Sequence, residues 1–275
     1  MRQPVPGGNC GLRWHGHRGV TLRIKFLGTG AAEGIPAINC DCAHCVRARQ
    51  EGGNLVRARN ALIFSLPRYE LLIDTPPDIR SLLFKNKVRR IDGIFITHAH
   101  HDHSGGLEEF LYWKAEVDLF AEPAVYEALQ RENWGDRLPE IAFHCAFHPG
   151  MAVRFDGFFF TPFAVCHTVP CFGLVLYEGG RKIVYTSDTS NRFSNYAYCL
   201  MKQADLLIIS TPRFSPPHDG HITSIEAVEL KERVGAKHLI LTHFNHHNRP
   251  YDELAKWAQE QSGITIAYDG MEILV

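Results

Sequence analysis

Ile94-Phe95-Ile96-Thr97-His98-Ala99-His100-His101-Asp102-His103 joins a short apolar run to a dense set of metal-binding side chains. Residues 91–97 have the length and apolar content of a buried strand, and Gly105-Gly106 closes the loop that follows. The pattern His98-x-His100-x-Asp102-His103 places four imidazole or carboxylate donors within six residues. Such groups are the usual ligands of zinc, manganese and iron. An isolated histidine would be read as a satisfied core side chain, but this density, directly after a buried strand, points to metal.

Two ions need more donors than this run supplies, and the rest of the chain offers them at strand ends. Strands are predicted at 22–26, 61–66, 70–74, 117–121, 151–165, 172–178, 181–187, 205–210 and 238–242. Residues 61–66 and 70–74 read as a hairpin around Pro67-Arg68. Helices are predicted at 107–114 and 123–132, with a polar loop at 133–140. His167 falls between two strands, Asp188 follows another, and His243 ends the strand at 238–242, where Thr242-His243 repeats the context of Thr97-His98. Strand ends along one sheet edge bring distant residues together. Asp188 in Ser187-Asp188-Thr189 also reads as a helix cap; beside so many histidines a bridging carboxylate is the better reading. Gly28-Thr29-Gly30 lacks the further glycines and lysine of a phosphate-binding loop.

The whole chain narrows the classes. Hydrophobic residues are 45% and charged residues 21% of 275, the balance of a globular protein with a sizeable core. A formal net charge of −1 argues against a nucleic-acid partner. No apolar stretch approaches the ~18 residues that would span a membrane, so no membrane association is expected. Residues 1–20 lack the apolar core of a secretory signal and are expected to form a flexible N-terminal extension before one domain over 21–275. The expected location is cytoplasmic, and the oligomer, if one forms, a homodimer.

Cys40-Asp41-Cys42-Ala43-His44-Cys45 gathers three of eight cysteines on what reads as a tight loop, a spacing better suited to an ion than to a disulfide. A fourth donor is required. His44 lies inside the loop and is expected to point away, whereas His246 and His247, just beyond His243, are better placed.

In these motifs the chain resembles the metallo-β-lactamase-fold hydrolases over roughly residues 21–275. The resemblance implies a single-domain α/β fold, a four-layer αβ/βα sandwich with its site along one edge of the two sheets. It implies that His98, His100 and His167 hold one divalent ion and Asp102, His103 and His243 a second, with Asp188 shared. Asp102 is counted among the catalytic residues as well as the ligands. Asp74 is implied to brace the ligand loop by hydrogen bonds. Manganese or zinc, with iron a third option, is the implied active-site metal. Gly34-x-Pro36 and Tyr268-Asp269-Gly270-Met271-Glu272 extend the likeness to the PhnP-like phosphodiesterases. That pattern selects His246, with Cys40, Cys42 and Cys45, for a structural zinc.

The activity implied is hydrolysis of small or cyclic phosphodiesters by a hydroxide shared between two ions. An alkoxide leaving group calls for a general acid, and His221 is the candidate, since Thr223-Ser224-Ile225-Glu226 behind it is a capping box that starts a helix. His218 is a less well-placed rival. The alternative activity is hydrolysis of a thioester or lactone, which would not need His221. A tRNA-processing role would call for a basic arm that the chain lacks, and a redox role for a flavin domain that it has no room for.

Overall fold

The computed structural model describes residues 22–113, 117–217 and 220–275. The expected N-terminal extension, 1–20, and His218 lie outside them. In chain order the strands are β1 (Arg23–Gly28), β2 (Ala61–Leu66), β3 (Tyr69–Ile73), β4 (Gly93–Phe95), β5 (Val117–Ala121), β6 (Ala142–Ala146) and β7 (Val153–Arg154). They continue as β8 (Phe158–Val165), β9 (Cys171–Glu178), β10 (Arg181–Tyr185), β11 (Leu206–Ser210), β12 (His238–Thr242), β13 (Ile264–Ile266) and β14 (Glu272–Leu274). Among the described residues they form two sheets, ordered β14-β1-β2-β3-β4-β5-β6 and β13-β12-β11-β10-β9-β8-β7.

The period of two along each strand explains the layering. In the second sheet Leu174, Leu176, Ile183, Tyr185, Ile208 and Ile240 face the first sheet and share its core. Their neighbours Val175, Val184, Leu207, Ile209, Leu239 and Leu241 join a second cluster with the helices Asn195–Met201, Ser224–Val234 and Tyr251–Gln259. Strands buried on both faces read as continuous apolar runs, as in DLLIIS and HLILT. Phe95 on β4 meets Phe160 on β8 edge-on at 5.9 Å, locking the two sheets together. Ile79, Leu82 and Leu83 of the helix Ile79–Lys85 belong to the same core on the side of the first sheet. This is the four-layer αβ/βα sandwich expected.

Sheet polarity determines where the site lies. β3, β4, β5 and β6 run parallel, as do β10, β11, β12 and β13. β8 runs with β10, because both are antiparallel to β9. Asp74, His98, His167, Asp188 and His243 therefore all follow the carboxyl ends of like-directed strands, where ligands of such sheets are bound.

Several expectations need correction. The polar loop at 133–140 contains a 3-10 turn (Gly135–Arg137) and leads through a short helix (Leu138–Ile141) into β6. That strand escapes the apolar pattern because it is a sheet edge, with Phe143 73% exposed. The strand expected at 151–165 is broken at Gly157, whose φ of +97° suits glycine. Residues 107–112 form a 3-10 rather than an α-helix. The strand at 181–187 stops at Tyr185, and Ser187 takes φ +55° to turn the chain toward Asp188. The cysteine segment is not wholly a loop, since Cys42 caps the helix Ala43–Glu51 and Cys45 lies in its first turn.

Candidate metal centre

The apolar strand β4 delivers the histidine run to the sheet edge. His98 is fully buried, and His101–Ser104 closes one helical turn that swings Asp102 and His103 back toward His98. His167 and Asp188 approach from the other sheet, and His243 from β12. A backbone bond from Phe172 N to the Thr97 carbonyl, 3.0 Å, ties the two strand ends together.

Four groupings of donor atoms result, each with every member within 4.8 Å of the others: His98, His100 and His167; Asp102, His103 and His243; His98, His103 and Asp188; and His167, Asp188 and His221. His98 Nε2 and His167 Nε2 stand 3.1 and 3.2 Å from His100 Nδ1. His103 Nε2 and His243 Nε2 are 3.2 Å apart, and each is 3.5 Å from Asp102 Oδ2 and from Asp188 Oδ2. Ligand atoms about 2.0–2.1 Å from an ion at tetrahedral angles stand about 3.3 Å from one another. The spacing of these nitrogens and carboxylates therefore fits divalent ions, and facing imidazole lone pairs are unfavourable without a cation or proton between them. Asp188 Oδ1 and His243 Nδ1 are buried with no hydrogen-bond partner among the described residues.

The far nitrogens of several rings are held. Thr97 Oγ1 contacts His98 Nδ1 at 2.9 Å and donates to Asp74 Oδ2 at 3.0 Å. Asp74 Oδ1 accepts from the Thr97 amide at 2.9 Å, and Asp74 Oδ2 lies 2.7 Å from His103 Nδ1. His167 Nδ1 donates to the Gly220 carbonyl at 2.9 Å. Such contacts select the tautomer that turns Nε2 inward. Asp74 and His243 adopt φ of +63° and +60°, a conformation uncommon outside glycine. Non-glycine residues in that region concentrate at functional sites.

Charge follows the geometry. Burial opposes the imidazolium of His103, but the carboxylates of Asp188, Asp102 and Asp74 outweigh it and hold its pKa well above the usual range. Burial likewise opposes ionised Asp188, yet His243 and His103 keep its pKa well below the carboxylate range. Asp102 is lowered by the same histidines against its burial. Burial, then the charge of His103, depresses His98 far below an ordinary imidazole.

His221 stands beside this group, its Nδ1 3.9 Å from Asp188 Oδ2 and its ring 5.0 Å from that of His167. The capping box behind it is formed as expected, with Thr223 at the N-cap of the helix Ser224–Val234 and Glu226 bonding back. A cleft of about 290 Å³ opens over His100, Asp102, Asp188, His221 and His243. Its remaining lining includes Glu33, Arg213 and Asn245, which no motif identifies, and His247, which the sequence offered only as a donor for the cysteine group.

Cys40, Cys42, Cys45 and His246 form a separate group within the same 4.8 Å limit. His246 Nδ1 lies 3.2 Å from Cys40 Sγ and 3.6 Å from Cys42 Sγ. Burial disfavours a Cys42 thiolate, but the Cys45 amide and His246 outweigh it and bring the thiol down to about 6. Cys45 is pushed up to about 11, chiefly by burial. His44 is not in the group; its Nδ1 contacts the His246 carbonyl at 3.3 Å.

A profile of the β-lactamase superfamily domain matches residues 69–244. The chain is 26% identical over 265 residues to the octanoyltransferase of Porphyromonas gingivalis, covering 92% of this chain and 52% of that one. It thus spans about half the length of that relative. It is 27% identical over 217 residues to the probable metallo-hydrolase YhfI of Bacillus subtilis, covering 74% of this chain and 86% of that one. Among solved structures it superposes on a diphosphatase of the PhnP family with a TM-score of 0.80 at 26% identity, over 92% of this chain and 97% of the other.

Proposed function

The chain belongs to the metallo-β-lactamase superfamily of hydrolases, and on that premise we propose that it is a dinuclear metal-dependent phosphodiesterase acting on small phosphodiesters. The observation that carries this is the pair of donor triads, His98-His100-His167 and Asp102-His103-His243, meeting at Asp188 with His221 beside them. Two divalent ions held there would supply Lewis acidity to the phosphoryl oxygens and to the attacking water. Zinc and manganese both suit this donor set. Cys40, Cys42, Cys45 and His246 are the donors of a structural zinc, which joins the loop before the first helix to the loop that carries His243.

The protein's own residues do the remaining work. Asp74 and Thr97 orient His103 and His98, and Gly220 orients His167. His221, lining the cleft, donates a proton to the departing alkoxide. The likeness to a PhnP-family diphosphatase supports phosphorus chemistry. Hydrolysis of a thioester or lactone on the same donors is the second reading; it draws on the half-length match to an octanoyltransferase and leaves His221 without a task. The two are separated by assaying zinc- and manganese-loaded protein on phosphodiesters, cyclic phosphates, thioesters and lactones. Turnover of phosphodiesters is expected; turnover of acyl substrates alone would replace the first reading with the second.

A further inference from the structure

Asn60 stands one residue before β2 and is 1% exposed. Its neighbour Ala61 pairs with Gly28, so its main chain is anchored in the first sheet. Its side chain crosses to the second. Asn60 Nδ2 donates to Tyr185 Oη at 3.0 Å, and Asn60 Oδ1 accepts from Thr242 Oγ1 at 2.7 Å. Both partners are fully buried. Tyr185 lies two residues beyond Ile183 and Thr242 two beyond Ile240, so the period of two turns both toward the first sheet. Tyr185 is the last residue of β10, three before Asp188, and Thr242 is the last of β12, directly before His243. Beyond them the chain turns through φ of +55° at Ser187 and +60° at His243. β11 separates β10 from β12, and two strand spacings set their backbones roughly 9–10 Å apart. Backbone bonds tie each only to β11: the Thr186 amide donates to the Ile208 carbonyl at 3.1 Å, and the Thr211 amide to the Thr242 carbonyl at 2.8 Å. The Asn60 amide adds a brace that spans the two outer strands directly. Burying three polar side chains carries a desolvation cost that an apolar trio of the same size would not, so filling space does not account for them. A fully paired buried network instead fixes one arrangement of the strands that carry it.

We propose that Asn60 is a positioning residue: by bracing Tyr185 and Thr242 it sets the separation of Asp188 and His243, and with it the affinity of the ion position that His243 serves. This rests on the dinuclear reading above. Asp188 Oδ2 and His243 Nε2 stand 3.5 Å apart, and metal–ligand distances tolerate only about 0.2 Å of error. Asp188 is shared, but the other donors of the first position, His98, His100 and His167, follow β4 and β8, to which the Asn60 side chain does not bond. Loss of the brace therefore falls chiefly on one position.

The test uses the full chain, stripped of metal and titrated with cobalt(II), whose visible absorption reports each site as it fills. A sulfur-to-cobalt charge-transfer band marks the cysteine group separately, and Asp102→Ala identifies the step that belongs to His243. Asn60→Leu keeps the volume and removes both hydrogen bonds. It is expected to weaken that step by about 10-fold, the lower end for outer partners of metal ligands, and to leave the His98-His100-His167 step nearly unchanged. Tyr185→Phe and Thr242→Val each remove one bond and should each show part of the loss. Thr242→Val should add little to Asn60→Leu, because residues of one network do not contribute additively. Equal losses in both steps, or a full further loss from Thr242→Val on top of Asn60→Leu, indicate general packing and overturn the proposal. So does an unchanged His243 step in Asn60→Leu or, where that variant does not fold, in Thr242→Val. A wild type that takes up a single cobalt ion outside the cysteine group overturns the dinuclear reading together with it.

Discussion

Asp74 Oδ2 and His103 Nδ1 lie 2.7 Å apart with both side chains fully shielded from solvent. The same carboxylate accepts from the amide and the hydroxyl of Thr97, so one buried group orients the strand end and a candidate ligand together. Asp74→Asn keeps the shape, and asparagine tolerates the positive φ. It replaces an acceptor oxygen with donors that clash with the Thr97 and His103 hydrogens. A loss of about 10–100-fold in affinity for the second ion is expected, measured by competition with a chromophoric chelator. Unchanged affinity would leave Asp74 with a packing role only.

His221→Ala separates acid catalysis from metal binding. The variant should retain its active-site metal by elemental analysis. For a diester with an alkyl leaving group it should lose about 10²-fold or more in kcat, the usual scale of general-acid help. For a p-nitrophenyl leaving group, which departs without a proton, the loss should be much smaller. Equal losses on the two substrates would remove the acid assignment.

The cysteine group should be separable from the centre. Cys45 is fully buried beside the Ala37 amide, which donates to its sulfur at 3.3 Å. Cys45→Ser should reduce bound zinc by one per chain. A cost of about 1–2 kcal/mol would lower Tm by several degrees in a domain of this size. Retention of the full zinc complement would show that the thiols hold no ion.

Glu178 supplies a pH test away from the metals. It is buried at the end of β9, and burial raises its pKa above the ordinary glutamate value despite Arg181 nearby. A carboxyl raised in the folded state binds its proton more tightly there than in the unfolded chain. Stability therefore falls as pH rises from the unfolded pKa, about 4.3, through the folded one. Glu178→Gln should raise Tm at neutral pH, and the gain should vanish in acid below about pH 4. Melting curves across pH 3.5–7.5 test this, and a gain independent of pH would assign the effect to something other than ionisation.

Local chemistry made much of this legible before any coordinates. Doubly buried strands write themselves as apolar runs, so β2, β3, β11 and β12 follow from composition and period alone. The run from His98 to His103 announces a metal because so many donors in one turn have no role in packing. Thr223 and Glu226 mark a helix start because a capping box is satisfied within four residues. The edge strand β6 escaped, since an exposed strand carries little apolar signal.

Tertiary contact alone decided the rest. Only folding shows that His98 and His167 converge on His100 while His103 and His243 converge on Asp188, because those distances span two sheets and many residues. Arg213, Asn245 and His247 enter the cleft through loop placement, which no short-range pattern encodes. Motifs record chemistry that neighbours in sequence must share, whereas a cleft wall is assembled from residues whose nearness exists only once the sheet edges meet.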